Sequence, residues 1–330
     1  MIIEQLYAKG ISNITRAESD VPRLTRICQE LHEHKLYTWD EIIPLVKNLT
    51  GFTKDSPVRR HIAIFKKLGI FDQREATYIL SSEGRVLLEL IKGKALEERL
   101  TLPEKIFYFR TFFSNALHQL FIFLQTVNQK ENLASPKQVI VDYFRKIINS
   151  PFKIWSKESL RRDIEIYESR GHLQSGLENK FGCMKAWLKH LELLEGKGLV
   201  LSPFGGEVLK DLENNSLDIG QRIFAIANIY LTGKVGSFPV FDYAKNRHRD
   251  FFLELFQLAY TLFETRELGI SDAKSIRCFV CIKVLLDHHL TLEEKSFDNI
   301  VNDLVRSHII RSLVTGRDGK LAHISGFSQG

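Results

Sequence analysis

The stretch SPVRRHIAIFKKLGIFDQREATYILSSEGRVLLELI, Ser56–Ile91, decides how the rest of the chain is read. Val58, Ile62, Phe65 and Leu68 stand three and four residues apart, the spacing of a helix with one apolar face. Pro57 suits the first turn of that helix, where its missing N–H would have no intrahelical partner. Two short runs, Gly69–Arg74 and Thr77–Leu80, follow around a tight polar turn and predict a hairpin. Ser81 or Ser82 can then cap a helix through GRVLLELI. The expected order is helix, hairpin, capped helix.

The same order recurs further along, and repetition bears on architecture before any motif does. FGCMKAWLKHLELL, EGKGLVL and SPFGGEVLKDLE read as a second helix, hairpin (Leu193–Glu195 with Leu199–Leu201) and helix. Matching LSSEGRVLLEL (Leu80–Leu90) to LSPFGGEVLKDL (Leu201–Leu212) requires one inserted residue and keeps Leu-Ser, Gly and Val-Leu. Helical stretches that open alike follow each copy, LPEKIFYFRTFF at Leu102–Phe113 and DIGQRIFAIANIYL at Asp218–Leu231. A fainter third copy closes the chain: FDNIVNDLVRSH, then Ile309–Val314 paired with Leu321–Ile324. The expected fold is mainly α with small β-hairpins, an α+β class of two or three modules joined by helical layers. The expected divisions are 1–130, 131–245 and 246–330.

The 330 residues, 44% of them hydrophobic, suffice for a sizeable core. No apolar run is long enough to span a bilayer, and MIIEQLYAKG lacks a secretory pattern. Four scattered cysteines suit a reducing compartment, so a cytoplasmic protein is expected. The formal charge of +6 is uneven: residues 1–150 carry 22 Lys+Arg against 17 Asp+Glu, and the remainder 24 against 23. A polyanionic partner should therefore meet the N-terminal half first.

Three helices followed by a two-stranded wing present the last helix as a rod that fits a B-DNA major groove, the arrangement of a winged helix. In the first module the face opposite the apolar stripe carries Arg59, Arg60, Lys66 and Lys67. Arg59 and Arg60 are the expected base readers, since guanidinium forks match guanine O6 and N7. Lys66 and Lys67 are expected at phosphates, Arg74 in the adjacent minor groove, and Thr53, Lys54 and Ser56 at a phosphate on the helix N-terminus. The second module offers Lys180, Lys185 and Lys189, with Lys197 in its wing. The third presents Asn299, Asn302, Asp303 and Arg306, a nearly neutral face suited to protein contact or a structural role, with Arg317 and Lys320 in its turn.

Enzymatic motifs are sparse. The chain has no GxxxxGK[ST] or HExxH pattern, and no cofactor is expected. Glu178-Asn-Lys180 has the residue types of a metal-dependent nuclease but lacks an acidic partner on a preceding strand. Cys278, Cys281, His288 and His289 have zinc-binding types, yet all fall on one continuous helix, which favours core packing over a metal site. IFYFRTFFSNALHQLFIFL spreads its rings over several helix faces and reads as buried.

RRHIAIFKKLGIFDQREATYILSSEGRVLLELI, with its L-S-x-x-G-x-x-L ending, resembles bacterial winged-helix modules. Its tandem use is similar to the DNA-recognition regions of FokI-like type IIS restriction endonucleases. That resemblance implies a double-stranded DNA partner and a recognition component whose nuclease is a separate domain or subunit. The alternatives are a transcriptional regulator, a scaffold whose winged helices bind other subunits, and a divergent metal-dependent nuclease.

Overall fold

The computed structural model describes residues 21–32, 35–93, 99–130, 135–150, 157–170, 176–196, 198–214, 222–265, 270–316 and 321–327. The class is α+β, mainly helical with small antiparallel sheets. The first unit comprises α1 (Val21–Gln29), α2 (Trp39–Thr50), α3 (Asp55–Lys67), the hairpin β1 (Phe71–Arg74) and β2 (Thr77–Leu80), and α4 (Ser82–Ile91). After the long α5 (Leu102–Lys130), the second unit runs α6 (Pro136–Asn149), α7 (Lys157–Arg170), α8 (Gly176–His190), β3 (Leu194–Glu195), β4 (Val200–Leu201) and α9 (Pro203–Asn214). Two short helices, α10 (Ile223–Ala227) and α11 (Ile229–Thr232), lead to the third: α12 (Asn246–Leu262), β5 (Glu264–Thr265), β6 (Ile270–Asp272), α13 (Ala273–His288), α14 (Glu294–Arg306), β7 (Ile310–Thr315) and β8 (Leu321–Phe327).

One hydrogen-bonded corner ends the last helix before the hairpin in every unit. A left-handed residue follows the helix at Gly69 (φ 72°), Glu192 (φ 58°) and His308 (φ 60°). Its N–H donates to the carbonyl three residues back, at Lys66, Lys189 and Val305 (2.9–3.1 Å). The next N–H donates five residues back, from Ile70 to Phe65, Leu193 to Leu188 and Ile309 to Leu304 (2.8–2.9 Å). This pair of bonds satisfies two carbonyls that the helix end would otherwise leave open, and it aims the chain straight into a strand.

The first two units also share a latch after the hairpin, which explains the Leu-Ser-x-x-Gly motif. Ser81 N–H donates to Ile70 O (2.9 Å), its hydroxyl donates to Gly69 O, and Gly84 N–H donates to Ser81 Oγ at 3.1 Å. Ser202 repeats each bond, to Leu193 O (3.1 Å), to Glu192 O (2.5 Å) and from Gly205 N–H (2.9 Å). The helix then passes so close to the strand that a Cβ on Gly84 would stand 2.4 Å from Ile70 O, and one on Gly205 would stand 2.1 Å from Leu193 O. Leu80–Gly84 therefore pairs with Leu201–Gly205 residue for residue. The inserted residue required by the sequence match falls beyond the glycine.

The copy that is faintest in the sequence carries the largest sheet. In the first unit a single bridge between α1 and α2 adds a third strand, with Tyr37 and Tyr78 exchanging both N–H···O bonds (2.7 and 2.8 Å). In the third unit β6, between α12 and α13, takes that place on β8, giving the order β5-β6-β8-β7. The third hairpin is also the longest, against two residues per strand in the second.

The units are joined through α5, which packs against α4 and α13 and also against α6, α9 and α10. Phe107, Tyr108, Phe109, Phe112, Phe113 and Phe123 are all buried along it, as rings on several faces predict. Trp187 of α8 meets Tyr108 and Phe112, each at 5.6 Å. Polar groups also cross this core. Arg110 of α5, 4% exposed, donates to Glu83 of α4 (2.8 and 3.1 Å) and to Glu294 of α14 (2.6 Å). Lys274 of α13 reaches Glu83 at 3.1 Å, and Arg277 pairs with Asp298 at 2.9 Å. Burial alone would raise the Glu83 carboxyl, but the Arg110 and Lys274 charges outweigh it and hold it at about 2.

Candidate nucleic-acid interface

The face of α3 that sequence reasoning singled out is built on a core wider than its apolar stripe. Val58, Ile62, Phe65 and Leu68 are buried as expected, and so are His61 and Ile64. His61 Nδ1 lies 2.9 Å from Pro57 O and its ring packs on Phe52, which is how a polar residue is accommodated inside. Among the described side chains of α3, Asp55, Ser56, Arg59, Ala63 and Lys66 are left to water. Thr53 and Lys54 are exposed just before the helix, and Lys54, at the N-cap, supplies no side-chain acceptor to the first turn. That first turn thus presents backbone N–H groups beside a cation, an arrangement suited to an anion.

Arg59 is held in place. Its guanidinium lies 4.7 Å from the centre of the Trp39 ring, and Trp39 in turn meets the edge of Tyr78 in the wing at 4.8 Å. A cation stacked on an aromatic face keeps its N–H edge free of that face, so Arg59 is oriented as well as charged. Lys66 instead donates to Gln73 Oε1 at 2.6 Å, and Gln73 donates onward to Glu75 O at 2.8 Å, tying the helix to its hairpin. Arg74 is exposed at the hairpin, flanked by the equally exposed Asp72 and Glu75. Asp55 pairs with Lys47 at 2.6 Å, which removes one acid from the face. The side chains of Arg60 and Lys67 lie outside the described residues.

The second unit presents much less. Lys180, Lys185 and Lys189 are only half-exposed, and Lys189 donates to Gly196 O at 2.6 Å, the counterpart of the Lys66 tie. Burial first, and the neighbouring Lys189 charge second, lower the Lys185 ammonium. Lys197, Arg317 and Lys320 lie outside the described residues. Glu178 of the nuclease-like triplet accepts a hydrogen bond from Tyr167 at 2.8 Å.

In the third unit Asn299, Asn302, Asp303 and Arg306 are all exposed, together with Lys295 and Ser296. Sequence reasoning missed Lys295 because it precedes the clear apolar pattern, and missed Arg311, exposed on β7, because a strand residue carries no helical phase. Cys278 and Cys281 are buried in α13, and burial pushes both thiols up, whereas His288 and His289 are exposed at the far end of the helix. Among the described residues no group of three or more His, Cys, Asp or Glu is placed to hold a metal ion, and no helix is long and apolar enough to cross a membrane. No family model, no curated protein and no solved structure matches this chain.

Proposed function

We propose that this chain binds double-stranded DNA through tandem winged-helix units, the first making the charge-driven contact. The observation that carries the reading is the order helix, bridging strand, helix, helix, hairpin, with oriented Arg59 and exposed Thr53, Lys54, Ser56 and Arg74 around the last helix of the first unit. The biological setting that fits is cytoplasmic: a recognition component of a bacterial restriction, defence or DNA-processing system with cleavage on a separate nuclease chain, or a transcriptional regulator.

Binding of the full chain to a random-sequence duplex pool at about 50 and about 200 mM salt tests this, because log affinity falls by about 0.9 per log salt for each phosphate neutralised. Wild type should bind with a slope of several, and Lys54→Ala/Arg59→Ala should reduce it by about 1 per cation removed. No duplex binding at the lower salt, or binding indifferent to salt and to both substitutions, overturns the proposal in favour of a protein scaffold. Magnesium-dependent nicking by the purified chain would replace it with a nuclease.

A further inference from the structure

The exposed face of α14 in the third unit suits a base reader. Lys295, Asn299, Asn302 and Arg306 follow one another at intervals of four, three and four along α14, and all four are exposed. At 100° per residue they lie within about 60° of one another and span about 16 Å along the helix. Phe297, Ile300, Val301 and Leu304 are buried on the opposite side, so the stripe faces outward. Its two middle members are carboxamides. An Asn side chain offers an acceptor and a donor side by side, the pair that complements adenine N6 and N7 in the major groove.

The surroundings of the stripe are cationic where phosphates would stand. Lys295 and Arg306 close its two ends, and Arg311 is exposed on the adjoining strand β7. Helix α12 packs beside α14 through Phe252 and Phe256 against Phe297, and its first turns carry exposed Lys245, Arg247 and Arg249. Asp242 and Asp250 are exposed at the same end of α12, and the acid beside the stripe on α14, Asp303, is paired with Arg306 at 3.0 Å.

Counting from the left-handed corner fixes the equivalences: 308 − 69 = 239 places Asn299 where the first unit has Arg60, and 192 − 69 = 123 places Cys183 there in the second. Cys183 is 1% exposed, so the second unit closes the position that the third opens. We infer that α14 lies in the major groove and that Asn299 and Asn302 each read an adenine, with Lys295, Arg306 and Arg311 on the flanking phosphates. This rests on the DNA-binding reading above, and it reassigns to sequence recognition a face whose neutrality suggested protein contact.

The test is selection from a random duplex pool by the full wild-type chain and by Asn299→Ala/Asn302→Ala, with total pool affinity measured for both. Wild type should enrich a motif with A·T pairs at two positions. The double variant should keep the pool affinity and its salt slope while losing on the order of tenfold preference at each of those positions. Both positions are exposed, so circular dichroism should be unchanged, and Arg306→Ala should lower the salt slope by about 1 without altering the motif. A motif that survives the double substitution, or one lacking A·T pairs there, overturns the inference while leaving DNA binding in place. Absence of any duplex binding by wild type overturns both.

Discussion

In the second unit a buried cysteine, Cys183, stands at the helix position that Arg60 holds in the first and Asn299 in the third. The backbone corner around it is the same in all three, down to the two hydrogen bonds that close the helix. The first and second units share the serine latch as well, and the third carries the wider sheet. The three units thus share a backbone corner, and they differ in what the last helix turns to water: α8 buries Cys183 where α14 exposes Asn299. Frame and exposed chemistry are separate properties, and only the second bears on what is bound.

The strongest way to break this arrangement is to cut the ionic contact between the first and third units. Glu83→Ala leaves Arg110 buried beside one carboxylate instead of two and should lower stability by about 3–5 kcal/mol in urea unfolding. The same group imposes a pH dependence. Its carboxyl is held at about 2 against an ordinary value of 4.5, so its contribution is complete above pH 4.5 and is lost as pH falls toward 2. That loss amounts to roughly 3 kcal/mol, and Glu83→Gln should flatten the acid limb of stability over that window.

The latch comes next. Gly84→Ala and Gly205→Ala each push a methyl into a strand carbonyl and should destabilise by about 2–3 kcal/mol, with the second the worse because its approach is closer. Equal and small effects would mean that the helix after the hairpin can slide, and the shared frame would lose its meaning. The buried and open versions of the stripe are compared directly by reciprocal exchange. Cys183→Asn should lower stability by about 2 kcal/mol through an unpaired buried amide, while Asn299→Cys should change it by less than about 0.5 kcal/mol.

Small effects are expected at the corners too. Glu192→Gly and His308→Gly should each raise stability by about 0.5–1 kcal/mol, seen as an upward shift of the thermal midpoint, because glycine adopts positive φ without strain. Gly69→Ala should lower stability by about 1 kcal/mol, although nothing lies within 4 Å of its added methyl, since the penalty there comes from φ alone.

Helical spacing and turn residues made most elements legible in the sequence; the first two hairpins fall within two residues of their expected bounds, and in the third β8 runs three residues beyond Ile324. The third strand of the first and third units was not legible. Tyr37 pairs as a single residue, and β6 is three residues long, too short for alternation to register, so only its partner β8 reveals it. Buried polar groups were equally hidden. His61 looks like a surface residue until Pro57 O and Phe52 account for it, and Arg110 finds Glu294 across 184 residues of chain. The candidate site was half legible. The cationic face of α3 follows from period and charge, but a stripe of amides carries no charge signal, and its outward direction depends on which side of α14 the sheet covers.

The cluster around Arg110 draws on α4, α5, α13 and α14 together, with at least one ionic partner from each. For anyone exchanging units between chains, this makes α14 a poor cassette. A transplanted third unit would arrive with a foreign residue opposite Arg110 and leave its guanidinium with Glu83 but without Glu294. Regrafting only the outward residues of α14, with Glu294 and Asp298 kept, respects that constraint and alters the exposed chemistry alone.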